Sequence, residues 1–217
     1  MPKYMDSALV VFTRYPEEGK VKTKLALHIG ERSAAEFCRC ILSDLIEKHR
    51  SHSYDIVLAY TPEEKGEALK SEYQADMYLA QEGKNFGERA MNMYKAVLKK
   101  YKKVVAIGSD VPDLDPTQVH KAFMALDAVD VVIGPAHDGS YYLVGMRKPI
   151  DIFSMVKGYY PEILRDTLKL LAEKGYSYAL LEKKTDIDDI DTFRKLQASL
   201  KREQAPLTFD LLKKIKA

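Results

Sequence analysis

The chain has only two cysteines, Cys38 and Cys40. A disulfide framework is excluded, and a reducing cytoplasm is the expected setting. The pair lies two residues apart on a predicted helix, so the thiols point in different directions and read as free cysteines. An excess of charge of one sign is also lacking. Thirty-four basic and 32 acidic residues leave a net +2, which argues against a nucleic-acid coat or a polybasic membrane surface. No apolar run approaches membrane-spanning length, and the N-terminus shows no signal-peptide core. No G-x-G-x-x-G follows the first strand and no Walker A motif occurs, which weighs against the standard dinucleotide and P-loop readings. There is no linker rich in glycine, proline or serine, and no internal repeat. A length of 217 residues then fits one domain over residues 1–217.

What is present is alternation. Apolar runs at 8–12, 54–60, 77–80 and 104–107 read as strands, with helical patterns at 31–49, 63–73 and 87–101 between them. Further strands are expected at 130–134, 140–145 and 178–181, and helices at 161–174, 192–202 and 207–215. Asp115 and Pro116 open another helix as N-cap and first helical residue. This pattern predicts an α/β fold: a three-layer, doubly wound, mostly parallel sheet. No helix separates the strands near 130 and 145, so one reversed strand is expected there.

Five segments could carry chemistry. The loop leaving the first strand holds Arg14, Gly19, Lys20, Lys22 and Lys24. Such a loop at the sheet edge can surround a di- or triphosphate, although most basic runs are simply solvated. The run Val104–Pro112 delivers Asp110 straight from a buried strand to the carboxyl edge, where ligands of open α/β sheets bind. A carboxylate held there suits a hard divalent cation. Asp113 and Asp115 read as capping acids. Asp138 and Gly139 lie between two strands, and alone they would read as a hairpin turn. The acid-rich run Thr185–Thr192 offers a second metal ligand beside a helix cap. Gln81, Gly87 and Arg89 sit in and after the third strand's loop, where Gln81 and Arg89 could meet a base or phosphate. An ordinary loop capped by Asn85 and Glu88 explains the same residues equally well. The histidines at 28, 49, 52, 120 and 137 show no metal-ligand spacing.

Taken together, these blocks resemble the glycosyltransferase-A-like transferases of the radical SAM/selenodomain-associated transferase 1 type. The family loop F-x-R-x-P-x-x-G-K-x-K-T-R-L-A is matched by residues 12–26, and L-G-E-R by Phe86–Arg89. G-S-D-x-P-x-L is matched by residues 108–114, G-P-x-x-D-G-G-Y-Y-L-I-G by 134–145, and D-x-D-T by 189–192. Lys24 replaces an arginine, Ser140 a glycine and Phe86 a leucine. The resemblance implies a nucleotide-diphospho-sugar transferase fold, with Mg2+ or Mn2+ held by Asp110 and Asp191.

The expected activity is metal-dependent transfer from a nucleotide-sugar or nucleotide donor to an unidentified small-molecule acceptor. Asp110, Lys20 and Asp138 are the candidate catalytic residues. Arg14, Gly19, Lys20, Lys22, Lys24, Gln81, Gly87 and Arg89 are candidates for binding the nucleotide and its phosphates. Two rivals stand beside a glycosyltransferase: a nucleotidyltransferase that releases pyrophosphate from a triphosphate, and a non-catalytic nucleotide-binding protein.

Overall fold

A computed structural model describes residues 6–50, 52–153 and 161–215. Among them, seven strands form one sheet: β1 (Ser7–Arg14), β2 (Asp55–Thr61), β3 (Met77–Ala80), β4 (Lys103–Gly108), β5 (Val131–Pro135), β6 (Tyr141–Met146) and β7 (Tyr178–Leu180). Their order is β3-β2-β1-β4-β6-β5-β7. β6 runs antiparallel to both β4 and β5, and every other pairing is parallel. The expected reversed strand is therefore β6, inserted between β4 and β5.

Eight α-helices of the described residues cover the sheet: α1 (Thr23–Ile29), α2 (Glu31–Arg50), α3 (Gly66–Glu72), α4 (Phe86–Val97), α5 (Pro116–Ala125), α6 (Ile163–Glu173), α7 (Ile190–Ser199) and α8 (Pro206–Leu212). Strand side chains alternate between two faces. Leu9, Val11, Val105 and Ile107 join Phe37 and Leu42 of α2, Phe123 of α5 and Phe193 of α7. Ala8, Val10 and Val104 join Ala90, Met93, Tyr94 and Val97 of α4 and Leu171 of α6. Buried on both faces, the central strands are continuously apolar, as a three-layer architecture requires. None of the described helices is long and apolar enough to cross a membrane.

The sequence reading lacks α1, and several element boundaries differ from it. The segment 63–73 is a 3-10 turn (Glu63–Lys65) followed by α3, and Gly66 and Leu69 are buried rather than exposed. α4 ends at Val97 rather than at 101. α7 starts two residues before the expected 192 because Asp189 is its N-cap. The Asp189 carboxylate accepts from Thr192 N, and the Thr192 hydroxyl reaches back to Asp189 N in a capping box.

The order β3-β2-β1-β4 places the chain's reversal of direction between β1 and β4, the crevice where ligands of doubly wound sheets bind. Phe12 and Gly108 are register partners there. The loop after β1 and the carboxylate after β4 thus emerge side by side.

Candidate functional site

Asp110 follows β4 by two residues, and its backbone carbonyl accepts a hydrogen bond from Ile187 N at 3.0 Å. Ile187 is buried in the core. This single bond fixes the acid-rich segment against the end of β4. It brings Asp186 and Asp188 near Asp110, Asp186 sharing one pocket with it and Asp188 the other. The loop beyond Asp110 is clamped from α2: Lys48 Nζ donates to the carbonyls of Pro112 and Leu114. Asp113 pairs with Lys184 at 2.8 Å, and Asp115 caps α5 through Thr117 N. Asp115 is thus the helix cap that the sequence suggests, whereas Asp113 is an ion-pair partner rather than a cap.

Two pockets meet at Asp110. The first, about 310 Å³, is lined by Arg14, Lys20, Lys22, Gln81, Arg89 and Asp188, with Cys38 and Ser109. The second, about 240 Å³, is mostly apolar and lies between β4, β6 and α4, with Asp110, Asp186 and Ser140 among its polar residues and Tyr94, Tyr141 and Tyr142 among its aromatic ones. Phe12 and Phe86 belong to both.

Lys22 is the centre of the cationic pocket. It is the N-cap of α1 with φ +45°, and the described residues show no other non-glycine residue with positive φ. A side chain in this left-handed region costs on the order of 1–2 kcal/mol, which surrounding contacts must offset. Those contacts are ionic: Nζ lies 3.1 Å from Asp110 Oδ2 and 3.6 Å from Asp188 Oδ1, and the side chain is 8 % exposed. Burial pulls the ammonium down, but Asp110 and Asp188 outweigh it and hold its pKa above the ordinary lysine value.

The other expected cations divide. Arg14 and Lys20 are exposed and line the pocket. Arg89 Nε is buried there and has no hydrogen-bond partner among the described residues. A buried donor left open beside other cations is a place for an acceptor from outside the chain. Lys24 points away to an exposed pair with Asp188 at 3.2 Å and does not line the pocket.

The glycines serve the backbone. Gly19, at φ +71°, makes the left-handed bend of the loop. Gly87 lets the Phe153 carbonyl approach, since a Cβ there would lie 3.2 Å from that oxygen. Gln81 is more structural than the sequence reading has it. Its amide donates to the carbonyls of Thr13 and Ala59, tying β1 to β2. That amide is already spent, whatever its oxygen does.

The acids also divide. Asp138 accepts from Ser140 N and Ser140 Oγ through Oδ1. Asp186 is half-buried, and burial, Asp138 and then Asp110 push its carboxyl above the usual carboxylate range. Asp191 is not brought to this cluster. It is exposed in the first turn of α7 and lines neither pocket. The acid-rich run does reach Asp110, but through Asp186 and Asp188. The sequence signal was the run itself, and only the Ile187–Asp110 bond picks its members. Cys38, also missed, borders the cationic pocket as a protonated thiol, pushed up to about 12 by burial.

Among the described residues, no three of His, Cys, Asp and Glu are grouped closely enough to enclose a metal ion. The protein could instead supply one or two carboxylates. Asp110 and Asp186 are hard oxygen donors, and a divalent cation would offset the burial and the charge of Asp138 and Asp110 that raise Asp186. That donor set suits Mg2+ or Mn2+ completed by phosphate and water oxygens.

The fold has known relatives. A protein of Desulfovibrio desulfuricans G20, provisionally named a nucleotide-diphospho-sugar transferase, is 31 % identical and superposes with a TM-score of 0.86 over 96 % of this chain and 94 % of its own. The inositol-1-phosphate CTP transferase of T. maritima shares the fold at 12 % identity and TM-score 0.57, over the full length of both chains. Rv0371c of Mycobacterium tuberculosis H37Rv in complex with manganese shares it at 12 % identity and TM-score 0.52, over 90 % of this chain and 99 % of its own. No protein of curated function matches the sequence. Residues 45–157 match the family described as uncharacterized proteins conserved in bacteria, DUF2064. With that match and the relative from D. desulfuricans, the chain belongs to the DUF2064 family.

Proposed function

We propose that this protein is a transferase that holds a nucleotide-sugar by its diphosphate in the cationic pocket and passes the sugar to an acceptor in the adjoining apolar pocket. The observation that carries this reading is the placement of Asp110, which lines both pockets. A group there stands between donor and acceptor. The D. desulfuricans relative, by its name, supports the choice of donor.

Asp110 and Asp186 would hold Mg2+ or Mn2+, which when bound supplies charge stabilisation to the donor's phosphate oxygens. Lys22, already buried against Asp110, orients that carboxylate and adds a fixed positive charge. Arg14, Lys20 and Arg89 meet the phosphates and neutralise charge that grows on the leaving diphosphate, which is transition-state stabilisation by preorganised cations. Asp138 lies behind Ser140, which lines the apolar pocket and donates to Asp138 Oδ1; it acts as base through that hydroxyl, which takes the acceptor's proton as it passes its own to Asp138.

A second reading replaces the donor with a nucleoside triphosphate and releases pyrophosphate. It is favoured by Arg14, Lys20 and Arg89, which have no ion-pair partners among the described residues and could balance a third phosphate. Product analysis separates the two. Incubation with nucleotide-sugars and Mn2+ should release nucleoside diphosphate. Pyrophosphate from triphosphates, with nucleotide-sugars left intact, would replace the first reading by the second. Tight nucleotide binding with no turnover of either donor would leave a binding protein.

A further inference from the structure

We propose that the acceptor is an alcohol with a ring-sized apolar body, seated in the pocket between β4, β6 and α4. The proposal rests on the transferase reading above and names its acceptor class. The pocket arises from a taper along one face of β4, where Val104, Ala106 and Gly108 point toward α4 and shrink in that order. Gly108 decides the case. It has no positive φ, and a Cβ added to it would meet nothing within 4 Å. By contrast, a Cβ on Gly134 would lie 2.5 Å from Tyr142 Cζ. Neither backbone conformation nor packing requires glycine at 108. What the glycine preserves is open space two residues from Asp110.

The walls are mainly aromatic and aliphatic carbon. Phe12 and Phe86 meet edge to face at 5.6 Å, and Phe153 stacks on Tyr94 at 5.9 Å. Phe86 is 54 % exposed, a large apolar surface left beside the site. The Tyr94 hydroxyl is spent on Val144 O. Tyr142 likewise spends its hydroxyl on Glu182 O, and Tyr141 adds a third phenol ring to the lining. The other polar side chains, Asp110, Asp186 and Ser140, gather at one end, and the Ser140 hydroxyl already donates to Asp138. A hydroxyl at that end meets Asp110 and Asp186, while the rest of the molecule meets carbon. A sugar seated there would lose water from hydroxyls that find no partner. An apolar cavity of roughly 150 Å³ takes benzene, so about 240 Å³ holds one ring with a short substituent. In the reaction the acceptor oxygen forms a bond to the sugar's anomeric carbon. The bond from that carbon to the diphosphate oxygen breaks, its electron pair leaves with the nucleoside diphosphate, and the acceptor proton goes to Ser140 Oγ as the Ser140 hydroxyl proton passes to Asp138.

The test uses the full chain with Mn2+ and two probes, benzyl alcohol and glucose, followed by saturation-transfer NMR. Thermal shift with UDP-glucose is measured in parallel. Benzyl alcohol should give a signal and glucose none. Gly108→Val, whose side chain enters the free space, should weaken the benzyl alcohol signal by roughly ten-fold, the order seen when a pocket loses room for a methylene or more, while the UDP-glucose shift persists. Ala90→Leu, on α4 across the pocket, carries the same expectation should the valine variant fail to fold. Glucose binding as well as benzyl alcohol, or a benzyl alcohol signal unchanged in the variants, overturns the proposal. Benzyl alcohol binding without any nucleotide-dependent shift overturns the transferase reading alone and leaves the apolar seat supported.

Discussion

Lys22 Nζ sits 3.1 Å from Asp110 Oδ2, with the lysine side chain 8 % exposed and the aspartate 41 %. The ammonium is thus enclosed while the carboxylate still faces solvent and both pockets. The first prediction concerns this pair. Lys22→Gln removes the compensating charge and should cost about 1–2 kcal/mol of stability, less than a fully buried pair because Asp110 is half in water. It should also weaken UDP-glucose binding. Asp110→Asn should abolish Mn2+-dependent nucleotide binding while the protein stays folded. Thermal shift with and without Mn2+ checks both, and a metal-dependent shift that survives Asp110→Asn would remove Asp110 from the site.

Arg89 gives the second prediction. Its Nε is buried beside the pocket without a partner among the described residues. Arg89→Ala should lower affinity for UDP-glucose by about ten-fold or more, as loss of a charge-assisted hydrogen bond does. Arg89→Lys should not restore it, because an ammonium cannot reproduce the planar fork. Calorimetric titration of the three proteins decides this. Full rescue by lysine would mean that charge alone matters at the position.

The third prediction uses Asp186, whose pKa burial, Asp138 and Asp110 raise. A carboxyl raised in the fold is harder to ionise there than in the unfolded chain. At neutral pH it therefore costs stability, and the cost disappears as pH falls through its folded and then its unfolded value, near 4. Without metal, Asp186→Asn should melt higher than the native protein at pH 7, by on the order of 2–4 °C, the shift that about 1 kcal/mol produces in a chain of this size. The gain should fade as pH approaches 4, and Mn2+ should stabilise the native protein more than the variant. A lower melting temperature for the metal-free variant at pH 7 would contradict the electrostatic account.

Gln81 yields the fourth. Its amide ties the ends of β1 and β2 through Thr13 O and Ala59 O. Gln81→Glu places an acceptor against two acceptors and should cost about 1–3 kcal/mol, read from urea denaturation. No change in stability would mean that the clasp contributes nothing.

The fifth lies away from the site. His49 is fully buried with Nδ1 against the Tyr54 hydroxyl, and its neighbours include Lys48, His52, His120 and Asp115. Burial first, then Lys48 and His52, lower its pKa to about 3. A histidine depressed in the fold contributes stability that is present above its ordinary value near 6.5 and lost as pH falls toward 3. Stability should therefore decline below about pH 6.5, with at most about 1.4 kcal/mol per pH unit from this one group. His49→Gln should show a shallower decline in acid denaturation curves. Parallel curves for the two proteins would assign the acid sensitivity elsewhere.

Alternation of apolar runs with helical periodicity determined the layered α/β architecture, because burial on both faces forces strands such as 104–107 to be apolar throughout. The missing helix between 130 and 145 determined the reversed strand, since a parallel return needs a crossover that those residues are too few to make. Asp110 was legible because a carboxylate directly after a buried strand must emerge at the sheet's edge. The partners it meets there were not legible. Asp189 and Asp191 look as acidic as Asp186 and Asp188 in a linear string, but a backbone bond from Ile187 to Asp110 turns the second pair toward the pockets, while capping geometry takes Asp189 into the start of α7. Lys22 and Lys24 look equivalent too, yet the left-handed turn at Lys22 buries one ammonium and leaves the other on the surface. The hollow at Gly108 was likewise invisible, for a glycine after a strand reads as punctuation. Only the packing of β4 against α4 reveals that it holds space open. Residue type and period fix which elements form, whereas long-range hydrogen bonds and packed volumes choose which side chains meet, and those contacts decide the chemistry of this site.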